Sequence, residues 1–504
     1  MELLLVCVYS VNSIYLLLAG INAYLACYRF NRARSSIDSE ISIYEEINSY
    51  PKLLVQLPIY NEQNSIIELL EHLNKCDYPE ELVVQILDDS NDDTTHIVED
   101  WIRNNSNPSK KFNHIRRSNR VGFKAGALKH GMSLESFDFI AIFDADFRPP
   151  AEFLKRAISF LNQNEKIGLI QGRWSYLNEN ENLWTKFQAI GMDGHFAIEQ
   201  PARAWNNYFM NFNGTAGVWR RNCIQDAGGW QADTLTEDLD LSYRAQLEGW
   251  KLDYRADLIC PSEIPSSVSA FKSQQFRWAK GSIQTALKVL PSVLKSKNST
   301  KLKIEALMHL THYMIHPLLL TNYFIGCLIL NNQINLIWPQ LEFMFLIILI
   351  ACAGPTFLYR FSQQTLNKKL PLYFYPLMIS LGCGLAVNNT RGVLEALLGK
   401  KSSFVRTPKR GNQTKFYRTN FDLWFLIEIS LGLLGLTILV HSPTSHYFLV
   451  PFIALYTIGY LSIGLSSALE FMFDRKSQHK KLASAVISNN NIDAKSEAAY
   501  VSEI

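Results

Sequence analysis

The sequence predicts a doubly wound, largely parallel α/β domain joined to an α-helical membrane region, and three observations predict it. Short apolar runs alternate with helical segments from Leu53 to Phe143, and each run ends in polar or acidic residues, the pattern of buried parallel strands. Apolar stretches of bilayer-spanning length, roughly 20 residues each, flank this domain on both sides. The composition agrees: 504 residues, 48% of them hydrophobic, make too long a chain for one ordinary domain and too apolar a one for a purely soluble protein. The net charge of +3 gives no reason to expect a nucleic-acid partner. Eight Cys without a C-x-x-C pair read as reduced, buried small hydrophobes, with neither zinc nor disulfides.

The first element is the apolar run Leu3 to Tyr28. It has no basic residues before it and no cleavage-site pattern, so it reads as a membrane helix rather than a signal peptide. Arg29, Arg32 and Arg34 follow it, which by the positive-inside rule puts the N-terminus outside and the next domain in the cytoplasm. The expected organisation is a membrane helix at 1–28, a cytoplasmic catalytic domain with an interfacial helix at 29–300, membrane and interfacial helices at 301–470, and a disordered tail at 471–504.

Within the soluble domain, Leu53 to Ile59 is a strand broken by Pro58, followed by a helix from about Ser65. The strand Leu82 to Leu87 ends in Asp88-Asp89, acids that could accept from a base or a ribose hydroxyl at the sheet's carboxyl edge, or cap the helix containing Thr94 to Trp101. Gly122-Phe123-Lys124 combines close backbone approach with a cation that could reach a phosphate. The run Phe137 to Asp146 ends in Asp144-x-Asp146, hard oxygen ligands suited to Mg²⁺ or Mn²⁺ bridging nucleotide phosphates. Asn211-Phe212-Asn213-Gly214-Thr215-Ala216-Gly217 is a small-residue turn where a ligand could lie directly on backbone. Thr236-Glu237-Asp238 reads both as an acidic helix start, with Thr236 the cap, and as a rigid mount for a general base. Gln274-x-x-Arg277-Trp278 offers a guanidinium fork for a diphosphate and an indole face for a sugar ring, on an otherwise amphipathic helix.

This ordered set, Asp88-Asp89, Asp144-x-Asp146, Thr236-Glu237-Asp238 and Gln274-x-x-Arg277-Trp278, resembles family 2 glycosyltransferases of the GT-A fold in their membrane-embedded processive branch. The cellulose-synthase-like mannan and glucan backbone synthases resemble it further in Val55 to Glu62, Ile170 to Tyr176 and Phe212 to Arg220, and the likeness covers Lys52 to Gly411. It implies that Asp238 is the general base beside Glu237, with Arg277 also catalytic. Asp88, Asp89, Lys124, Asp144 and Gln274 would hold the donor, Asp144 and Asp146 the metal, and Gly214, Thr215, Ala216 and Trp278 the acceptor sugar. Phe404 to Lys409, within a loop at 400–418, resembles a gating loop that adds Thr407 and Lys409 to the donor site; it departs from the family pattern at Arg406, where a valine is usual.

The implied function is processive, inverting transfer that lengthens a β-1,4-glucan or mannan, with Mg²⁺ or Mn²⁺ as cofactor. The implied partners are a nucleotide-sugar donor (UDP-glucose or GDP-mannose, with UDP-N-acetylglucosamine also open), a glycan acceptor and the lipid bilayer of the plasma membrane or Golgi. One base without a second catalytic carboxylate suits a single displacement. The alternative is a nonprocessive enzyme making a glycolipid on ceramide or diacylglycerol. Beyond Lys303, apolar stretches begin near Ile304, Ile337, Leu372, Phe421 and Tyr447. The Pro-, Gly- and Asn-bearing stretch at 372–398 is expected to be broken or interfacial, leaving five spans in all. His309, His312 and His316 share a face of the second span, where helix packing or a polar channel wall is expected rather than a metal site.

Overall fold

The computed structural model describes residues 2–41, 47–105, 109–331, 338–402, 423–441 and 448–473, with side chains at all of these except 35–41 and 338–345. The gating-like loop residues Thr407 and Lys409 and the tail beyond 473 lie outside the described residues. In chain order the helix α1 (Glu2–Ile41) precedes a domain of seven strands: β1 (Leu53–Ile59), β2 (Leu82–Asp88), β3 (Lys110–Arg116), β4 (Phe139–Ile142), β5 (Ile167–Tyr176), β6 (Gly217–Arg220) and β7 (Lys251–Ser262). Its helices are α2 (Ile66–Asn74), α3 (Thr94–Asn104), α4 (Phe123–Leu134), α5 (Phe153–Asn162), α6 (Leu183–Gly194), α7 (Gln200–Ala204), α8 (Arg221–Asp226), α9 (Glu237–Leu247) and α10 (Val268–Lys295). Then come α11 (Thr300–Thr311), α12 (Ile315–Leu330), α13 (Trp338–Thr365), α14 (Phe374–Gly384), α15 (Ala386–Leu397), α16 (Phe425–His441) and α17 (Val450–Phe473).

The sheet order is β3-β2-β1-β4-β6-β5-β7. The strands β1, β2 and β4 are buried along almost their whole length, as their unbroken apolar runs require, and pair in parallel with one another's neighbours. The exception to parallel pairing is β6, which runs antiparallel to both β4 and β5. Pro58 does not break β1, which continues to Ile59. Gln56 accepts on the β4 side from Phe143 N, and Ile59 on the β2 side from Asp89 N, so Pro58 faces the β4 side two residues on. The β4 ladder has ended by there, and the missing N–H costs no sheet bond. Two buried amides stitch this centre: Gln56 Nε2 donates to Gln85 Oε1 (3.0 Å), and Gln85 Nε2 to Gly131 O (3.1 Å). A Cβ at Gly131 would lie 2.4 Å from Gln56 Nε2, so α4 can close onto the sheet only with glycine there.

Among the described residues, four helical segments are long and apolar enough to cross a membrane: Glu2–Arg34, Thr300–Leu330, Leu346–Thr365 and Val450–Phe473. The α16 helix, at 17 residues, is a shorter apolar helix. The stretch 372–398 consists of α14 and α15, of 11 and 12 residues, hinged at Leu385 and each too short to span. Small residues let the first and third long segments touch backbone to backbone: a Cβ at Gly354 would lie 2.3 Å from Gly20 O.

Helix α10, which carries Gln274, Arg277 and Trp278, is fastened from the membrane side. Glu470 of α17 accepts from Val268 N (2.7 Å) and Ser269 N (3.0 Å) at its N-terminus, where a carboxylate complements the helix dipole. Lys272 pairs with Glu428 of α16 (2.7 Å) and Lys280 with Glu395 of α15 (2.8 Å), both buried. A Cβ at Gly392 of α15 would lie 2.9 Å from Phe276 O, so this packing is also close.

Candidate active site

The carboxyl ends of β1, β2 and β4 open on one side of the sheet, and there the predicted residues gather. Lys124, at the start of α4, donates to Asp144 Oδ1 (2.5 Å) and to Gly214 O (2.9 Å), joining the end of β4 to the turn before β6. Gly214 has φ +81°, and a Cβ there would lie 3.0 Å from Asp238 Oδ2 and 3.4 Å from Lys124 Nζ. Asp238, in the first turn of α9, therefore stands against the same backbone. Its Oδ1 accepts from Leu239 N (2.8 Å), which leaves Oδ2 on the side of Gly214.

Charge sharing follows from this crowding. Burial alone would lower the Lys124 ammonium, but Asp144, Glu237 and Asp238 hold it above its ordinary value. Burial raises Glu237, with Lys124 and Arg277 opposing and Asp144 adding to the rise. Burial, and then the Glu237 carboxylate, push Asp238 up to about 7, against the attraction of Lys124. Arg277 is brought down to about 10 by burial, while Glu237 and Asp144 work to hold its proton. An acid that releases its proton near neutrality, beside two buried cations, suits a general base next to an anion site.

Asp144 keeps 34% of its side chain exposed, whereas Asp146 is buried at 6%. No group of three or more His, Cys, Asp or Glu side chains comes together as a metal cluster among the described residues. Mg²⁺ and Mn²⁺ are commonly held by one or two carboxylates with substrate phosphates completing the shell, so the open hard-oxygen donor at Asp144, with Asp146 two residues on, fits such an ion.

Several assignments change on inspection of the contacts. Asp88 is bonded within the fold. Its side chain is fully buried, Oδ2 accepting from Thr95 Oγ1 (2.8 Å) and His114 Nε2 (2.9 Å), and Oδ1 from Ser90 N (2.8 Å). Although burial works against it, those bonds bring Asp88 down to about 2. It ties β2 to the first turn of α3 and to β3. Asp88→Ala is accordingly expected to cost about 3 kcal/mol of stability, the scale for losing hydrogen bonds to a buried charge, read as a lower unfolding temperature with donor KM unchanged in the folded fraction. Asp89 takes a bidentate pair from Arg117, yet each of its oxygens retains a lone pair. Arg117 also donates to Val121 O (3.0 Å) and Phe123 O (3.2 Å), so this pair shapes the turn that presents Lys124.

In the turn 214–216, Gly214 is the residue that lies against Asp238. Thr215 is wholly buried, and its hydroxyl accepts from Asp144 N (2.9 Å). Ala216, also wholly buried, has φ +54° and donates its N–H to Ile142 O (2.9 Å). Both fasten the turn to the end of β4. Thr236 occupies the cap position of α9 but forms no side-chain cap; its hydroxyl pairs with Thr285 of α10 (3.1 Å). Gln274 is buried with Oε1 unbonded, whereas Gln275 and Trp278 line the cavity described next.

From Asp238 and Trp278 a cavity of about 590 Å³ continues between the long apolar helices to Tyr9, Asn322 and Tyr456. His309, His312 and His316 lie along it, each engaged by a hydrogen bond: His309 with Tyr243 Oη (2.8 Å), His312 with His309 O (2.7 Å) and His316 with Asn389 Nδ2 (2.9 Å). They are a polar wall, as the sequence suggests. Sequence reasoning missed His195, Glu199 and Arg203, which line the same cavity. It also missed Arg120, whose guanidinium lies 3.3 Å from the centre of the Tyr60 ring. Nothing in their local spacing sets these apart from surface charges.

Comparison with known proteins agrees with this geometry. The profile of the family described as "Glycosyltransferase like family 2" matches residues 51–281. The chain is 32% identical over 467 residues to "Probable glucomannan 4-beta-mannosyltransferase 15" of Arabidopsis thaliana, covering 88% of this chain and 84% of the relative. It is 38% identical over 295 residues to "Probable glucomannan 4-beta-mannosyltransferase 7" of Oryza sativa subsp. japonica, 58% of this chain, and there it spans 49% of the relative's length. A solved mannosyltransferase from Pyrobaculum calidifontis, in complex with GDP-Man and Mn²⁺, superposes with a TM-score of 0.50 at 17% identity, covering 78% of this chain and all of that one, a likeness of fold.

Proposed function

The chain belongs to glycosyltransferase family 2, and on that premise we propose that it is a membrane-embedded, inverting, processive β-glycosyltransferase lengthening a β-1,4-linked mannan or glucan from a nucleotide hexose. The observation that carries the reading is the cavity beginning at Asp238 and Trp278 and running on among the apolar helices. A single-sugar transferase needs a seat for one acceptor; a polymerase needs somewhere for the product to go, and a polar, aromatic path supports that need. The 4-beta-mannosyltransferase names of the relatives favour mannose, and hence GDP-mannose, as the donor.

In this reading Asp238 accepts the proton of the acceptor hydroxyl as that oxygen attacks the anomeric carbon. Trp278 stacks against the acceptor ring, and the Gly214 backbone keeps the base and Lys124 in register. Arg277 and Lys124 offer fixed positive charge where the diphosphate leaves, in a buried site where such charge counts most. A Mg²⁺ or Mn²⁺ ion held by Asp144 and Asp146 would neutralise the diphosphate as a Lewis acid. Thr407 and Lys409 are proposed to close over the donor, and the catalytic domain to face the cytoplasm.

Because Asp238 must be deprotonated to act, kcat/KM for the acceptor is expected to rise about tenfold per pH unit below pH 7 and to level off above it. A flat profile between pH 5.5 and 8, limits chosen as roughly a unit or more either side of that value, would remove Asp238 as the titrating base. The functional reading itself is tested by incubating membranes containing the protein with GDP-[¹⁴C]mannose and sizing the product. A long, β-mannanase-sensitive chain supports it. A single labelled sugar extracted with the lipids would replace it with the glycolipid reading.

A further inference from the structure

The end of α10 and the start of α11 form a corner that presents apolar side chains to the outside. Along the last turns of α10, Ala286, Val289 and Val293 are buried in one cluster with Leu239 and Tyr243 of α9 and Leu302 and Ala306 of α11. A second face, at helical spacing, carries Leu287, Pro291 and Leu294, and it is open: Leu287 is 55% exposed and Leu294 49%. Across the corner, Ile304 of α11 is 57% exposed. A helix already packed by one face gains nothing from water by keeping a second apolar one. Helix α11 opens the segment Thr300–Leu330, which is long and apolar enough to cross a membrane, so the corner stands where that segment would meet a bilayer surface.

Lysines frame the same corner. Lys295, Lys297, Lys301 and Lys303 occur with no acid from Val289 to Ile304. The first three are exposed, and none of the four forms an ion pair among the described residues. The remaining lysines of α10 differ: Lys272, Lys280 and Lys288 each meet a carboxylate, those of Glu428, Glu395 and Asp233. Glu305, the first acid after the four, is buried and shared by Arg29 and Arg203. The positive charge of the corner is therefore not neutralised within the fold.

Cations beside exposed leucines match one kind of partner. A soluble anion would use the lysines and leave the leucines in water, and a neutral lipid would use the leucines alone. An anionic bilayer surface uses both, its head groups meeting the ammoniums while the leucines enter the acyl boundary. We propose that the corner from Leu287 to Ile304 is a binding surface for anionic phospholipid, which holds the far end of the helix that carries Gln274, Arg277 and Trp278. The inference rests on the membrane-embedded reading above and is independent of the sugar transferred.

In the test, the full-length protein in neutral detergent is titrated with phosphatidylserine or phosphatidylcholine, and bound lipid is counted by native mass spectrometry. The expected Kd for phosphatidylserine is at least about tenfold below that for phosphatidylcholine, part of what four surface lysines can supply. Replacing Lys295, Lys297, Lys301 and Lys303 together by glutamine is expected to bring the two affinities within about twofold. A control in which the exposed Lys75, Lys129, Lys166 and Lys251 of the sheet domain become glutamine is expected to keep the preference. Equal affinities in the parent overturn the surface and leave the membrane reading standing, whereas retention of neither lipid overturns both. A preference that survives the corner substitutions, or that the control loses equally, also overturns it. So does displacement of phosphatidylserine by inorganic phosphate at equal concentration, which would make the corner a site for a soluble anion.

Discussion

Asp238→Asn is expected to lower glycosyl transfer by about 10³-fold, within the range general base catalysis supplies, while GDP-mannose affinity stays within about twofold. The amide keeps the shape of the carboxylate and can still accept from Leu239 N through its oxygen, so α9 is not disturbed. What it loses is the ability to take the acceptor's proton at Oδ2, the oxygen beside Gly214. The substitution also removes one of the acids that hold Lys124 charged, but Asp144 and Glu237 remain. Donor binding is read by calorimetry and transfer by labelled product. Turnover within about tenfold of the parent would take the base assignment away from Asp238.

Gly214→Ala is expected to be nearly as damaging, by about 10²-fold in kcat, although it adds one methyl group and removes no charged group. At φ +81° an alanine is strained, and its Cβ would meet Asp238 Oδ2 at 3.0 Å and Lys124 Nζ at 3.4 Å. The base must then shift by a few tenths of an ångström, or the turn must relax and loosen the Lys124 contact to Gly214 O. In either case the proton acceptor leaves its working distance. An active variant with parent-like kcat would show that the acceptor does not approach along this backbone.

The two residues also mark how far the chain is legible as text. Asp238 and the D-x-D at the end of β4 stand out in sequence through the ordered set of motifs they belong to, since alone each reads equally as a helix start or a strand-end turn. The alternating strands and helices follow from apolar runs whose burial β1, β2 and β4 bear out residue by residue. Where reading failed, the cause was contact between distant segments. Asp88 and Asp89 are adjacent and chemically identical, yet Asp88 is taken up by Thr95 and His114 while Asp89, paired with Arg117, keeps accepting capacity, and these partners stand 7 to 28 positions away. The Thr215 hydroxyl accepts from the backbone of Asp144, 71 positions away, a use that no local pattern announces.

What the sequence determines by itself is what local periodicity and residue chemistry encode: an open α/β sheet with acids at its carboxyl edge, apolar helices on both sides of it, and the break at 372–398. The antiparallel placement of β6, the spending of Asp88 on the fold, the elevation of Asp238 and the arrival of His195 and Glu199 at the cavity are decided only in three dimensions. Each depends on burial and on partners brought close by chain closure, and a carboxylate's proton affinity or a hydroxyl's availability is a property of its surroundings, not of its neighbours in the chain.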